Sequence, residues 1–214
     1  MKIGILGSGD VAKTLGSGLL GLGHEVTLGT RNKSKLDEWL AKANNPKAKV
    51  GSFADAAASG EIVFLTTHGT ATISAIDLAD KKNFDGKIVI DVTNPLDFSG
   101  GASPKFAVTP GNSLGEQIQK HLSKSKVVKA FNSIGAHIMV NPRREEGMPD
   151  LFIAGNDADA KKWVIEMAQK WGWHSAVDLG GIENSYWLEA LAMFWIIYGF
   201  KNKSWSHAFK LLKK

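Results

Sequence analysis

A mostly parallel α/β sheet wound with helices on both faces is predicted for this 214-residue chain. Three observations carry the prediction. Short apolar runs alternate with amphipathic stretches along most of the sequence. The first run ends in a glycine loop that opens directly into a helical pattern. The composition, 43% hydrophobic and 22% charged, is that of a globular chain able to bury a core of this kind.

In chain order, residues 2–6 read as a strand of aliphatic residues, followed by Gly7-Ser8-Gly9-Asp10. A helix over about 11–22 follows from Val11, Leu15, Leu19 and Leu22 at helical spacing. Residues 25–29 form the second strand, entered through Gly23. A helix over about 34–43 would place Leu36 and Leu40 on one face beside Trp39. Residues 62–66, 87–91 and 126–130 read as further buried strands, separated by helices near 70–79 and 113–122. Residues 98–111 carry three glycines and two prolines and read as a loop. Loops of that length in compact domains tend to be functional or mobile. The pattern then resumes as strand 150–154, helix 158–171, strand 175–179 and helix 184–200, with a short amphipathic tail over 204–212. The whole is read as a single domain, with a core of about 1–145 and a small C-terminal α/β extension of about 146–214.

Composition removes several function classes. With no cysteine, disulfides, thiolate metal sites and cysteine nucleophiles are excluded. The histidines His24, His68, His121, His137, His174 and His207 are scattered without metal-ligand spacing, so no metal is expected. No apolar run has the length of a membrane helix; the longest candidate, 188–200, contains Glu189. The apolar stretch 3–6 runs into a glycine loop rather than a cleavage-type segment, and a cytoplasmic protein is expected. An excess of 26 Lys and Arg over 21 Asp and Glu is spread along the chain as a solvated surface. Nucleic acid would want a basic stripe interleaved with aromatics, so neither nucleic acid nor membrane is expected as a partner.

The chemistry concentrates at the first turn. Gly7-Ser8-Gly9-Asp10-Val11-Ala12 is a GxGxxA fingerprint between a strand and an amphipathic helix, the context of a Rossmann dinucleotide site. Gly7 permits the tight turn, Gly9 lets the backbone approach a pyrophosphate, and Ala12 allows close helix–strand packing. Amides at the helix start then hold the phosphate charge. An NAD site places an acid at the end of the second strand, where this chain has Gly29-Thr30-Arg31-Asn32-Lys33-Ser34-Lys35. Thr30 offers a hydroxyl, Arg31 a planar fork for phosphate and adenine, and Lys35 a further cation, with Asn32 between them. The cofactor expected is therefore NADP. The missing acid also argues against a methyltransferase.

At these residues the chain resembles the NADP oxidoreductase, coenzyme F420-dependent family, and in particular its bacterial branch. The resemblance rests on GSGDVAKTLGSGLLGLGHEVTLGTRN at 7–32, on Asp91-Val92-Thr93-Asn94-Pro95, on Lys129-Ala130-Phe131-Asn132-Ser133-Ile134, and on Leu188-Glu189-Ala190-Leu191. It implies hydride transfer between NADP and a deazaflavin- or flavin-like ring, with F420, flavins, ferric chelates or a small carbonyl compound open as acceptors. By the same resemblance Thr66, Thr67 and His68 would run along the cofactor. Asn94, Pro95, Ala130 and Asn132 would flank its nicotinamide end. Those positions also follow strand ends, where parallel sheets bind ligands.

Hydride transfer between rings needs no dedicated acid or base, and no catalytic residue is assigned; His68 and His137 are the titratable candidates near the ring. Short-chain dehydrogenases need Tyr followed four residues later by Lys, and here Tyr198 leads to Asn202 and Tyr186 to Ala190. Imino-acid and β-hydroxyacid reductases append a large helical domain, whereas about two short helices are expected after Leu179. Six of the seven tryptophans (Trp163, Trp171, Trp173, Trp187, Trp195, Trp205) crowd the last quarter. They are expected in the core or in the interface of a homodimer. The alternative to an enzyme is an NADP(H)-binding redox sensor without turnover.

Overall fold

Glycine and alanine decide where the central strand can lie. The computed structural model describes residues 1–101 and 104–212. The elements in order are β1 (Lys2–Leu6), α1 (Asp10–Gly21), β2 (Glu25–Gly29), α2 (Asp37–Ala43), β3 (Ala48–Gly51), α3 (Phe53–Ser59), β4 (Ile62–Leu65), α4 (Thr72–Leu78) and β5 (Ile88–Asp91). Then come β6 (Leu96–Asp97), β7 (Lys105–Phe106), α5 (Leu114–His121), β8 (Lys126–Ala130), α6 (Ala136–Met139), β9 (Leu151–Gly155), α7 (Ala158–Lys170), β10 (Ala176–Asp178) and α8 (Ser185–Asn202). A Cβ on Gly4 of β1 would collide with the backbone carbonyl of Ala56, and one on Gly29 of β2 would come within 2.8 Å of the Ala56 Cβ. The alanine-rich α3 therefore lies directly on two glycine positions of the sheet.

Eight strands form one sheet in the order β10-β9-β8-β5-β4-β1-β2-β3. All neighbours are parallel except β8 and β9. β10 is parallel to β9, so these two edge strands run against the rest. Side chains alternate between two cores. Ile3, Ile5, Phe64, Ile90 and Val128 face α1, α2 and α7; Leu6, Val63, Leu65, Val89 and Val127 face α3, α4 and α5. Burial on both faces is why the strands read as continuous apolar runs.

The predicted architecture of a Rossmann-type, doubly wound, mostly parallel sheet is what the chain adopts. Several local expectations need correction. The helix read over 34–43 starts as a 3₁₀ turn, Lys33–Leu36, before α2. Leu36 and Trp39 are buried there, whereas Leu40 points outward at 37% exposure. Strand β3 and helix α3 were not anticipated. β3 is a four-residue edge with few β-branched residues, and α3 is built of small side chains that carry little hydrophobic periodicity. Its signal was the capping box, in which Ser52 and Asp55 each accept from the other's backbone N–H. Residues 98–111 are not wholly a loop: β7 pairs antiparallel with β6. Ala102 and Ser103 of that stretch lie outside the described residues. Beyond residue 179, the described residues form a 3₁₀ turn, Ile182–Asn184, and one 18-residue α-helix, α8, rather than two short helices, and residues 204–212 are irregular. The segment beyond 146 supplies β9 and β10 to the same sheet.

Candidate functional site

Five segments leave the same edge of the sheet, at the carboxyl ends of β1, β2, β4, β5 and β8. The chain passes from β1 through α1 to β2 on one side, while β4 lies on the other. That reversal leaves a crevice above the strand ends, the usual ligand position in such sheets.

Gly7 ends β1 with φ +151°, and its N–H donates to the Gly29 carbonyl at 2.9 Å. A Cβ there would strike the Thr66 hydroxyl, so protein packing alone demands glycine at this position. Gly9 differs. Its backbone, φ −82° and ψ −175°, suits any residue, and a Cβ on it would meet no protein atom within 4 Å. Nothing in the fold requires that glycine, so the requirement points outward, to a group approaching the loop. Gly9 is the N-cap of α1 and supplies no side-chain cap, which leaves the first-turn amides of Asp10, Val11 and Ala12 without intrahelical partners. Ala12 is buried against the sheet, Ser8 is half-buried, and Asp10 is exposed. The geometry fits an incoming pyrophosphate.

After β2, Thr30 is buried, and its hydroxyl is exchanged with the backbone of Asn32 in both directions at 3.2 Å. Thr30 therefore shapes the loop. Asn32 caps the following turn by accepting from the Ser34 N–H and hydroxyl. Arg31, Lys33 and Lys35 are exposed, and among the described residues they form no ion pair. This rim presents positive charge without internal neutralisation.

At the other end, Thr66 donates to the Leu6 carbonyl at 2.9 Å, and Thr67 shares a hydrogen bond with Thr72. His68 is exposed. Gly69 packs against the Asn94 carbonyl so closely that a Cβ would not fit. Asn94 Nδ2 donates to the Asn132 carbonyl at 2.7 Å, and Asn132 Nδ2 donates to Asn94 Oδ1 at 2.9 Å and to the Leu188 carbonyl at 2.8 Å. The segments singled out after β5 and β8 are thus joined to each other and to α8. Asn132 Oδ1 is buried with no hydrogen-bond donor among the described residues. Phe131 stands between with φ +61°, a left-handed conformation that costs a non-glycine residue about 1–2 kcal/mol. Edge-on packing against Trp171 and Trp173 holds it. Ala130 is buried in β8 and Pro95 is buried beside Asn94. His137 lies on the exposed side of α6.

Beneath the asparagine pair lies a network that sequence reasoning missed. Lys129 Nζ sits 2.6 Å from Asp91 and 2.9 Å from Glu189, and all three side chains are 0% exposed. Its remaining bond goes to the Thr93 carbonyl at 2.9 Å. Glu189 also accepts from the N–H groups of Leu114 and Gly115, which open α5. Asp91 accepts from the Thr93 N–H and hydroxyl. Desolvation pulls the Lys129 pKa down, but the two carboxylates and their hydrogen bonds outweigh it and hold the pKa above that of an ordinary lysine. A signal was available: one charge stands in each of three apolar stretches, and a buried charge requires a partner.

Of the tryptophans, Trp173 is buried, Trp163, Trp171 and Trp195 are half-buried, and Trp187 and Trp205 are exposed. Among the described residues no three His, Asp or Glu side chains converge as a metal site would need. No helix among them is long and apolar enough to cross a membrane.

Comparison with known proteins agrees with this geometry. The family described as NADP oxidoreductase, coenzyme F420-dependent, matches residues 2–95. The F420-dependent NADP reductase of Methanocaldococcus jannaschii is 33% identical, over 95% of each chain. The rat metalloreductase STEAP3 is 32% identical over 90% of this chain, which spans 36% of that longer protein. A solved structure from Arthrobacter sp. FB24, provisionally described as an F420-dependent NADP reductase, is 38% identical. It superposes over 100% of both chains with a TM-score of 0.94. With its glycine loop, its acid-free cationic rim and this full-length similarity, the chain belongs to the NADP oxidoreductase, coenzyme F420-dependent family and is an NADP-dependent oxidoreductase.

Proposed function

We propose that this protein transfers a hydride between NADP(H) and a flat ring acceptor of the deazaflavin or flavin type, bound at the carboxyl edge of the sheet. The observation that carries the reading is Gly9, a residue whose lack of a side chain serves nothing within the chain. When bound, NADPH supplies the hydride from its nicotinamide. Ser8, Gly9, Asp10, Val11 and Ala12 hold the pyrophosphate through backbone amides, on the turn that Gly7 makes with its own amide spent on the Gly29 carbonyl. Arg31 and Lys35 engage the 2′-phosphate and adenine, on a loop that Thr30 and Asn32 shape. Thr66, Thr67 and His68 line the middle of the crevice. Asn94, Pro95, Ala130 and Asn132 bound the nicotinamide end. Next to that end, Phe106 of β7 packs on Tyr186 at 5.6 Å between ring centroids, and Tyr186 on Trp187 at 5.0 Å. These rings give a flat acceptor an apolar neighbour.

The relatives' names support the acceptor class, and the metalloreductase similarity keeps ferric chelates in the test. The experiment is NADPH oxidation by the purified protein against F420, FMN, FAD, riboflavin and ferric chelates, with NADH as control. Turnover with a deazaflavin or flavin and NADPH supports the reading. Turnover confined to non-ring acceptors overturns it.

A homodimer through α8 accompanies this reading. Trp187, Phe194 and Ile197 of α8 are 57–61% exposed, an apolar face that water penalises. Sedimentation should give a dimer that Ile197→Lys converts to monomer; a monomeric parent protein would sink the idea.

A further inference from the structure

We propose that the buried Asp91–Lys129–Glu189 network biases the adjoining nicotinamide position toward the oxidised, cationic ring. The inference rests on the assignment of Asn94 and Asn132 to the nicotinamide end of the site.

Counting donors sets the charge. Asp91 accepts from the Thr93 N–H, the Thr93 hydroxyl and Lys129. Glu189 accepts from the Leu114 N–H, the Gly115 N–H and Lys129. Every bond that these carboxyl oxygens make is with a donor, so both groups are carboxylates. Lys129 donates to Asp91 and to the Thr93 carbonyl and stands 2.9 Å from Glu189 as an ion pair, the surroundings of an ammonium between two carboxylates. Two negative charges and one positive leave a net negative charge. The N-terminus of α5 offsets about half an elementary charge, and the sign survives.

Position gives that charge its target. The Thr93 carbonyl held by Lys129 belongs to the residue preceding Asn94. Glu189 follows Leu188, whose carbonyl accepts from Asn132. The network therefore lies directly beneath the asparagine pair, and at 0% exposure it is little screened by water or salt. The nicotinamide of NADP⁺ is cationic and that of NADPH is neutral, so a fixed negative charge here acts on one redox state and not the other. Ordinary positioning or packing would act on both.

The test is to measure dissociation constants for NADP⁺, NADPH and 2′-phospho-ADP-ribose, which lacks nicotinamide, on the parent protein, Glu189→Gln and Asp91→Asn. Each substitution removes one negative charge while breaking different hydrogen bonds, so a variant that fails to fold leaves the other to decide. The expected result is that the affinity for NADP⁺ relative to NADPH falls about tenfold in each folded variant. That is a shift of about 30 mV for a two-electron couple. Binding of 2′-phospho-ADP-ribose should be unchanged. Equal losses for NADP⁺ and NADPH would overturn the proposal and leave the network a purely structural one. Asn94→Ala separates the two levels. If it weakens 2′-phospho-ADP-ribose as much as NADPH, the nicotinamide-end assignment itself fails. If it weakens NADPH alone while the charge variants leave the ratio unchanged, only the charge inference fails.

Discussion

Helices α1 and α5 begin at the same edge of the sheet and treat their N-termini in opposite ways. At α5, Ser113 and Glu116 close a capping box, and Glu189 reaches across to the next two amides; that carboxylate is completely buried. At α1, the N-cap is an exposed glycine with no side chain to offer, no side chain among the described residues caps it, and the Asp10 carboxylate of the first turn is exposed to water. Both ends carry the partial positive charge of a helix start. One is neutralised by the protein's own anion and becomes part of the core. The other is left open to an anion from outside, the place that the proposed function gives to the pyrophosphate.

The comparison can be broken from either side. The largest effect is expected for Glu189→Ala, which strands Lys129 and two α5 amides away from water. Removing one partner of a buried pair costs about 3–5 kcal/mol. Urea unfolding should show it, and a loss below about 1 kcal/mol would mean that α5 does not depend on its internal anion. Gly9→Val should weaken NADPH binding by about 100-fold or more for a loss of only about 1 kcal/mol in stability, the cost of valine at an N-cap, because a Cβ there meets no neighbour in the fold. Unaltered affinity would remove the basis for the proposed site. Arg31→Ala should cost roughly 10- to 100-fold in NADPH affinity, the worth of a charge-assisted phosphate contact, and little in NADH affinity. Equal losses would place the 2′-phosphate elsewhere.

The smallest effect concerns the other capped helix, α3. The backbone N–H and hydroxyl of Ser52 hold the Asp55 carboxyl below its ordinary value of 3.8. A depressed folded-state pKa contributes stability that is present above the unfolded value and is lost as the pH falls through the folded one. Stability should therefore decline below about pH 4 with a contribution that Asp55→Asn abolishes. Identical acid limbs for parent and variant would show that this cap carries no proton linkage.

Some of this was legible before any coordinates. The GxGxxA loop, the acid-free rim and most of the alternation of strand and helix are local patterns, and the glycine loop folds between β1 and α1 as it reads. What escaped did so for physical reasons. Helix α3 is made of small residues because it must sit on Gly4 and Gly29, and small residues carry little periodic signal. Leu40 had the right spacing for burial, but the 3₁₀ start of the segment rotates it outward.

The residues proposed to set the cofactor class lie in two short segments, 7–12 and 29–35, joined by one helix and one strand, so local pattern carries the message: strand, glycine turn, helix, then cations where an acid would exclude a 2′-phosphate. The buried network and the asparagine pair have no such local record. Lys129 meets Asp91 across 38 residues, and Glu189 meets the start of α5 across 75. Only the pairing of β5 with β8 and the return of α8 against β9 and α5 bring those charges together. A charged residue in an apolar run announces that it needs a partner, but its partner is chosen by the fold.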